Sequence, residues 1–348
     1  MKVGHFVSLG IGGADRAAYN LAVGLKSIGS APVIFYSKNS IPSRTPDQDA
    51  ELPLLNILSL YQEDFHVHQI EGVKDFSKFG LDILHTHQSG DAHWLLPGLE
   101  NLERDFKIVE TNFHGFQQTP ADFRIFPTKS LMKWRRIRAS EYNQVVPNAI
   151  LKPLSNSSYR ADLGISSDTI VLGRLARADD SVFSANLLKT YRSIRGFRDV
   201  ALVWVGASRQ SRSMGKDLGI KDIIWVDPVK EPESVSKWMN TFDIFCHFNK
   251  LGETFGNSVA EAMMHGLPVV SLAGTILYPQ AQGEVLGQNS GVFYSRMSAN
   301  RALVRLIDEP LSRQKLGDAN KARAVQFFSP EAVAHQVTAI YERLLAKS

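Results

Sequence analysis

Apolar residues in this chain alternate between two textures. Short continuous runs, 2–9, 32–37, 81–85 and 107–111, read as buried strands, while between them lie stretches whose apolar positions recur at helical spacing. Over 14–28, Ala18, Leu21, Ala22, Leu25 and Ile28 make one buried face, so a helix is expected there. The second half repeats the pattern. Strands are expected at 169–172, 201–205, 222–226 and 243–248, and helices near 183–195 (facing inward through Leu187, Leu188, Tyr191 and Ile194), near 232–242 and through 297–346. Strand and helix in alternation imply parallel sheets with helices on both faces, joined by right-handed crossovers. The expectation is two Rossmann-like doubly wound α/β domains, with a polar linker at 155–158. Residues 38–52 are polar and turn-rich and read as a loop.

Composition narrows the class. A chain of 348 residues suits two domains, and 44% hydrophobic with 21% charged residues suits a soluble globular protein. The single cysteine, Cys246, allows no disulfide within the chain and favours a reducing compartment. The start, MKVGHFVSLG, is too short and Gly-bounded for a signal peptide, and no apolar run reaches membrane-spanning length. A cytoplasmic location is expected. The formal charge of +4 and pI near 9.0 permit an anionic ligand or membrane surface without calling for nucleic acid.

Candidate chemistry concentrates at 252–270, GETFGNSVAEAMMHGLPVV. Gly252 and Glu253 precede a helix that opens near Asn257, carries Glu261 inside it, and is stopped by His265-Gly266 and Pro268 before an apolar strand. A helix N-terminus attracts phosphate, and Gly256 lets a ligand approach the backbone. Glu253 and Glu261, about two helical turns apart, are placed to hold hydroxyl-bearing groups on either side of that phosphate. Phosphate between two hydroxyl-rich groups describes a nucleotide-sugar; two surface acids on a helix is the plainer alternative. Elsewhere, GIGGAD (10–15) is no dinucleotide fingerprint, because Asp15 stands where the third glycine belongs and no acid ends the next strand. Asp47-Gln48-Asp49 is a metal-binding type of triplet, but no strand leads into it, so a solvated loop is expected. His85, His87, Asp91 and His93 fall where a strand ends and where open α/β sheets bind ligands. Zinc or plain hydrogen-bonded histidines are the readings there. The stretch 129–138, KSLMKWRRIR, is either a helix with a solvated basic face or one that meets a membrane or an anionic acceptor.

The 252–270 segment resembles the signature of glycosyltransferase family 4 (glycosyl transferases group 1), supplying Glu253, Phe255, Gly256, Glu261, Gly266, Pro268 and Val269 in register. The resemblance implies the GT-B fold, two Rossmann-like domains facing an interdomain cleft. It implies a retaining, metal-independent transferase of hexosyl type, acting in polysaccharide biosynthesis. UDP- or GDP-sugar is the donor, a glycan or lipid-linked hydroxyl the acceptor, and no cofactor is needed beyond the nucleotide-sugar co-substrate. Domains are expected at 1–148 (acceptor side), 149–329 (donor side) and 330–348 (a helix returning to the first domain). Val145-Val146-Pro147-Asn148 resembles the family's crossing segment, with Ala149 replacing its glycine.

The carry-over gives roles. Gly173-Arg174-Leu175 matches a motif whose arginine binds the diphosphate; Thr254, Phe255, Gly256 and Asn257 supply the helix start; Glu253 takes sugar hydroxyls and Glu261 the ribose. Gly12 and Gly13 match the family's glycine turn. His114, in Asn112-Phe113-His114-Gly115, matches a histidine facing the reacting sugar, and Val226 ends the strand beside the base. The donor phosphate itself would help deprotonate the acceptor. Several positions depart from the pattern. Asp179 stands where the family has lysine, leaving Arg177 as its substitute, Asp227-Pro228 replaces a glycine, and Phe248-Asn249 stands where Pro-Ser is usual. In the family the N-terminal domain can dock on membranes, which would make 129–138 a peripheral contact on the inner face. The rivals are a non-catalytic GT-B sugar- or nucleotide-binding relative and a GT-B nucleotide-sugar epimerase.

Overall fold

The apolar runs become parallel strands and the amphipathic stretches become helices. The computed structural model describes residues 1–10, 12–40, 57–88, 98–229, 231–275, 277–287 and 291–347. It divides into two units, Met1–Ile150 with Phe327–Ser348, and Leu151–Gln326.

The first unit holds a seven-stranded sheet: β1 (Val3–Phe6), β2 (Val33–Ser37), β3 (Val67–Ile70), β4 (Ile83–Gln88), β5 (Lys107–Asn112), β6 (Phe123–Phe126) and β7 (Asn143–Val145). The spatial order is β3-β2-β1-β4-β5-β6-β7 and every pair is parallel. Chain order reverses between β1 and β4, where His5 lies opposite His85. The helix Gly13–Ser27 buries Ala18, Leu21, Ala22 and Leu25 of its expected face, and Ile28 is its half-buried C-cap. The last helix, Pro330–Leu345, is started by Ser329, whose side chain accepts from the Ala332 N–H, with proline in its first turn. It buries Val333, Ala334, Val337, Ile340 and Tyr341 in one core with Leu21, Leu25 and Ile83.

Strands β3, β6 and β7 are not evident in the periodicity. Each has three or four residues, and VHQI and NQV carry too little apolar signal to separate from loop. Strand β4 runs on to Gln88, so His85 and His87 lie inside a strand rather than at its end.

The second unit holds six parallel strands, β8 (Ile170–Leu175), β9 (Val200–Val205), β10 (Ile223–Val226), β11 (Ile244–Phe248), β12 (Val269–Leu272) and β13 (Val292–Phe293), in the order β10-β9-β8-β11-β12-β13. The reversal here lies between β8 and β11. The helix Asn186–Ile194 buries Leu187, Leu188, Tyr191 and Ile194 as the pattern requires. The helix Arg209–Asp217 is invisible to periodicity because Met214 is its only apolar side chain. Gly173 sits in β8 against the Phe242 ring, which a side chain at 173 would strike.

Gly24 faces the Pro330 carbonyl so closely that a Cβ there would collide with it. Alanine in a helix interior otherwise gains about 1 kcal/mol over glycine, so the sign of Gly24→Ala is informative. We expect it to lower the unfolding free energy by about 1–3 kcal/mol in urea titrations. Gly72→Ala, with nothing within 4 Å of the added atom, should stay within about 0.5 kcal/mol of wild type.

Candidate functional site

In the second unit, Arg174 projects from β8 and is 2% exposed. Its guanidinium lies over the Trp204 ring at 4.8 Å, and Nη2 donates to Asn249 Oδ1 at 2.6 Å. Its Nε is buried and has no partner among the described residues. Burial pushes the Arg174 pKa down to about 10, opposed by the negative charge of Glu253, so the side chain stays a cation at neutral pH.

Glu253 is placed by backbone. Gly252 packs on the Pro279 carbonyl, Glu253 bridges to Gln280, and the Glu253 carbonyl accepts from the Ala281 N–H at 3.1 Å. Its Oε1 accepts from Asn249 Nδ2 at 2.7 Å and lies 3.1 Å from His247 Nε2. His247 Nδ1 is in turn 3.0 Å from Ser271 Oγ. Burial favours the protonated acid, but His247, the Asn249 donor and the charge of Arg177 more than offset it and hold the carboxyl below its ordinary range. His247 and Asn249 escape sequence reading; the one signal was Asn249 standing in place of an expected serine.

Gly256 takes φ 98° as the N-cap of the helix Asn257–Met264, a conformation that favours glycine. Phe255 is buried; Thr254, Asn257 and Glu261 are half-buried. In the loop after β8, Arg177 is exposed and lies 3.6 Å from Asp179. Asp179 Oδ1 accepts from the Ser181 N–H at 2.8 Å, and Asp180 Oδ1 from the Gln210 N–H at 3.2 Å, so both acids are tied to backbone. At the end of β10 the Val226 carbonyl already accepts from Gly206 and Ala207 N–H groups, and Asp227 pairs with Arg212 at 2.6 Å.

In the first unit, Gly12 begins the Gly13–Ser27 helix, and its N–H donates to Asp15 Oδ2 at 2.8 Å. The departure at Asp15 is thus a helix cap. His114 is exposed on a loop organised by Asn112, whose Oδ1 accepts from the Gly115 N–H at 2.6 Å and whose Nδ2 donates to the Phe116 carbonyl. Arg135, from the basic stretch, donates to the His114 carbonyl at 2.7 Å and lies 4.0 Å from the Phe116 ring and 4.2 Å from that of Trp134. The helical part of that stretch is only Lys129–Trp134. His85 and His87 are buried in the core with His5, a correction to their expected place at a ligand-facing strand end. His85 contacts Tyr341 and Thr111 hydroxyls, and His87 Nε2 meets His5 Nδ1 at 3.0 Å. His87 Nδ1 has no partner among the described residues. The His87 side chain helps line a cavity of about 20 Å³ together with Thr111, Phe113 and Asn148, which is room for one water. Asp47, Asp49, Asp91 and His93 lie outside the described residues.

A family model described as glycosyl transferases group 1 matches residues 167–304, the stretch that carries Arg174, Asn249, Glu253 and Glu261. One relative, the MMP alpha-(1->4)-mannosyltransferase of Mycolicibacterium hassiacum, is 31% identical over 170 residues, 47% of this chain and 40% of that protein. The chain therefore spans well under two thirds of that relative's length. Among solved structures, Anabaena Alr3699/HepE in complex with UDP and glucose superposes with a TM-score of 0.73 at 14% identity, covering 99% of this chain and 100% of that one. A glycosyltransferase from Rickettsia africae gives 0.74 at 15% identity over 100% and 99% of the two chains, and sucrose-phosphate synthase from Thermosynechococcus elongatus 0.72 at 16% over 100% of both. The chain has the GT-B fold, with its two parallel α/β units. Among the described residues, no helix is long and apolar enough to cross a membrane.

The histidine core sets an acid limit. Burial pushes His5 down to about 3, and His85 and His87, also repelled by their neighbours, well below the ordinary value; burial takes His265 down to about 4. These rings stay neutral in the fold but titrate near 6.5 in the unfolded chain, which then binds more protons. Stability is full above about pH 6.5 and is lost as pH falls toward about 3, by up to about 1.4 kcal/mol per pH unit for each histidine. Urea unfolding at about pH 7.5 and about pH 5.5 checks this, and equal free energies at both would contradict it.

Proposed function

We propose that this protein is a retaining, metal-independent hexosyltransferase that moves a sugar from a UDP- or GDP-sugar to a glycan or lipid-linked hydroxyl. The observation that carries the reading is the coupled Arg174–Asn249–Glu253 arrangement before the helix Asn257–Met264, within the stretch matched by the group 1 family model. Departure of a diphosphate needs its growing charge stabilised. Arg174 and the backbone N–H groups of Thr254, Phe255, Gly256 and Asn257 are assigned that task. Glu253 takes the hydroxyls of the sugar and Glu261 the ribose, while the chain beyond Val226 borders the base. Arg177, whose charge already acts on Glu253, is the second diphosphate cation in place of the family's lysine. Asp179 is held by Ser181 and Arg177, which supports a loop that keeps it from opposing the phosphates.

In the first unit, Gly12, Gly13 and His114 are assigned to the transferred sugar and the acceptor. The donor phosphate, rather than a side chain, takes the acceptor proton as the new bond forms on the face the leaving group vacates. The exposed Lys133, Arg136 and Arg138 supply charge for a peripheral contact with an anionic membrane face, in keeping with a cytoplasmic protein. A non-catalytic relative is the alternative that Asp179 favours.

A screen of UDP- and GDP-sugars for slow donor hydrolysis tests the reading directly, and no turnover with any of them would favour that alternative. With the active donor in hand, Arg174→Met should weaken binding of the matching nucleoside diphosphate by about 10–100-fold in calorimetry, the loss of one charge-assisted contact. Arg177→Ala should weaken it nearly as much. If Arg177→Ala is silent while Asp179→Lys raises affinity, the second-cation assignment is wrong. Glu261→Gln should weaken plain nucleotide binding, whereas Glu253→Gln should spare it and depress turnover; equal losses of nucleotide affinity would sink that division.

A further inference from the structure

The chemistry assigned above gives no role to the buried amide that joins its two charged groups. Asn249 is 8% exposed, and both ends of its side chain are used. Oδ1 accepts from Arg174 Nη2 at 2.6 Å, and Nδ2 donates to Glu253 Oε1 at 2.7 Å. The partners fix the orientation of the amide, because a guanidinium only donates and a carboxylate only accepts. Turning it over would set donor against donor and acceptor against acceptor. His247 braces the same carboxylate oxygen at 3.1 Å and lies 3.0 Å from Asn249 Nδ2, with its far nitrogen on Ser271 Oγ. Trp204 covers the guanidinium.

We propose that Asn249 is a positioning residue of the donor site, tying the diphosphate cation Arg174 to the sugar-side carboxylate Glu253 so that the two are held as one unit, with His247 as the second brace on Glu253. This rests on the glycosyltransferase reading. No other side chain of similar size serves. Aspartate keeps the bond to Arg174 but sets a carboxylate against Glu253. Leucine leaves the buried guanidinium without its hydrogen-bond partner and Glu253 with His247 alone. Serine is too short to span both. Arg174 is on β8 and Glu253 beyond β11, so this amide links a strand to a loop across the point where sheet order reverses.

The test uses the full chain, with UDP-glucose and GDP-mannose as probes, reading donor hydrolysis and, separately, UDP or GDP affinity by calorimetry. Asn249→Asp should leave nucleotide affinity within about 3-fold of wild type and cut turnover at least about 30-fold, because only the Glu253 side of the unit is displaced. The decisive comparison is the same change in a Glu253→Gln background. There the new carboxylate accepts from the glutamine amide introduced at position 253, and the link re-forms with its sense reversed. The penalty of Asn249→Asp should then shrink to about 3-fold or less. Equal penalties in the two backgrounds, or no penalty in wild type, overturn the assignment. Should the Asn249 variants melt much earlier than wild type, His247 carries the test. His247→Gln, which can still donate to Glu253, should keep turnover within about 3-fold, and His247→Leu should lose at least about 10-fold at unchanged nucleotide affinity. Equal activities of those two variants overturn the proposal. If wild type binds neither nucleotide and hydrolyses neither sugar, the glycosyltransferase reading falls and this assignment with it. Wild-type binding with silent variants removes this assignment alone.

Discussion

A guanidinium taken out of water inside a parallel sheet must find its compensation in the protein, because isolated buried charge costs far more than any single contact returns. Arg174 meets that constraint in three ways: an aromatic face from Trp204, a hydrogen bond to Asn249, and the field of Glu253 reached through the same amide. The remaining features of the second unit follow from it. Glu253 has to be fixed, so Gly252 packs against the Pro279 carbonyl and the Glu253 backbone bridges to Gln280. Gly256 then turns the chain through a positive φ so that the next helix starts immediately beyond the carboxylate. The Arg174 Nε stays buried and without a partner among the described residues.

The two units share one sheet logic and fill it with opposite chemistry. Each sheet reverses its order between two central strands, β1 and β4 or β8 and β11. In the second unit an arginine and a glutamate, one to each side of that reversal, stay charged by meeting through one amide. In the first, His5, His85 and His87 share the corresponding region with Tyr341 and Thr111 as a neutral hydrogen-bonded layer. A neutral layer is compatible with dense packing against the last helix, and its burial is what pushes the imidazoles toward the uncharged form.

Much of this was legible from residue order. Strong periodicity located the helices around Leu21–Leu25 and Leu187–Ile194, and the apolar runs located β1, β2, β5 and β8 to β11, because those elements bury a whole face and their sequences show it. Gly256, Pro268 and the acids at 253 and 261 marked a loop, a helix and a strand from local backbone rules alone. Strands β3, β6 and β7 and the polar helix Arg209–Asp217 were not legible, since a short or polar element owes its form to neighbours rather than to its own pattern. Arg135 shows the same limit. Its position in a basic run suggested a surface face, yet its guanidinium is engaged by the loop that carries His114.

By itself, then, the sequence determined the order of the strongly patterned elements, the parallel α/β class and the loop–helix signature at 252–270, all properties set by periodicity and by backbone conformational preference over a few residues. Which polar groups meet was decided only by tertiary structure. Nothing local places Asn249 between Arg174 and Glu253, sets His247 on Ser271, or draws His85 and His87 into the core beside His5. The contacts of Asn249 with Arg174, His247 with Ser271 and His87 with His5 join residues far apart in the chain, and their existence depends on strand order and burial, which turn ordinary side chains into obligatory hydrogen-bond partners once water is excluded.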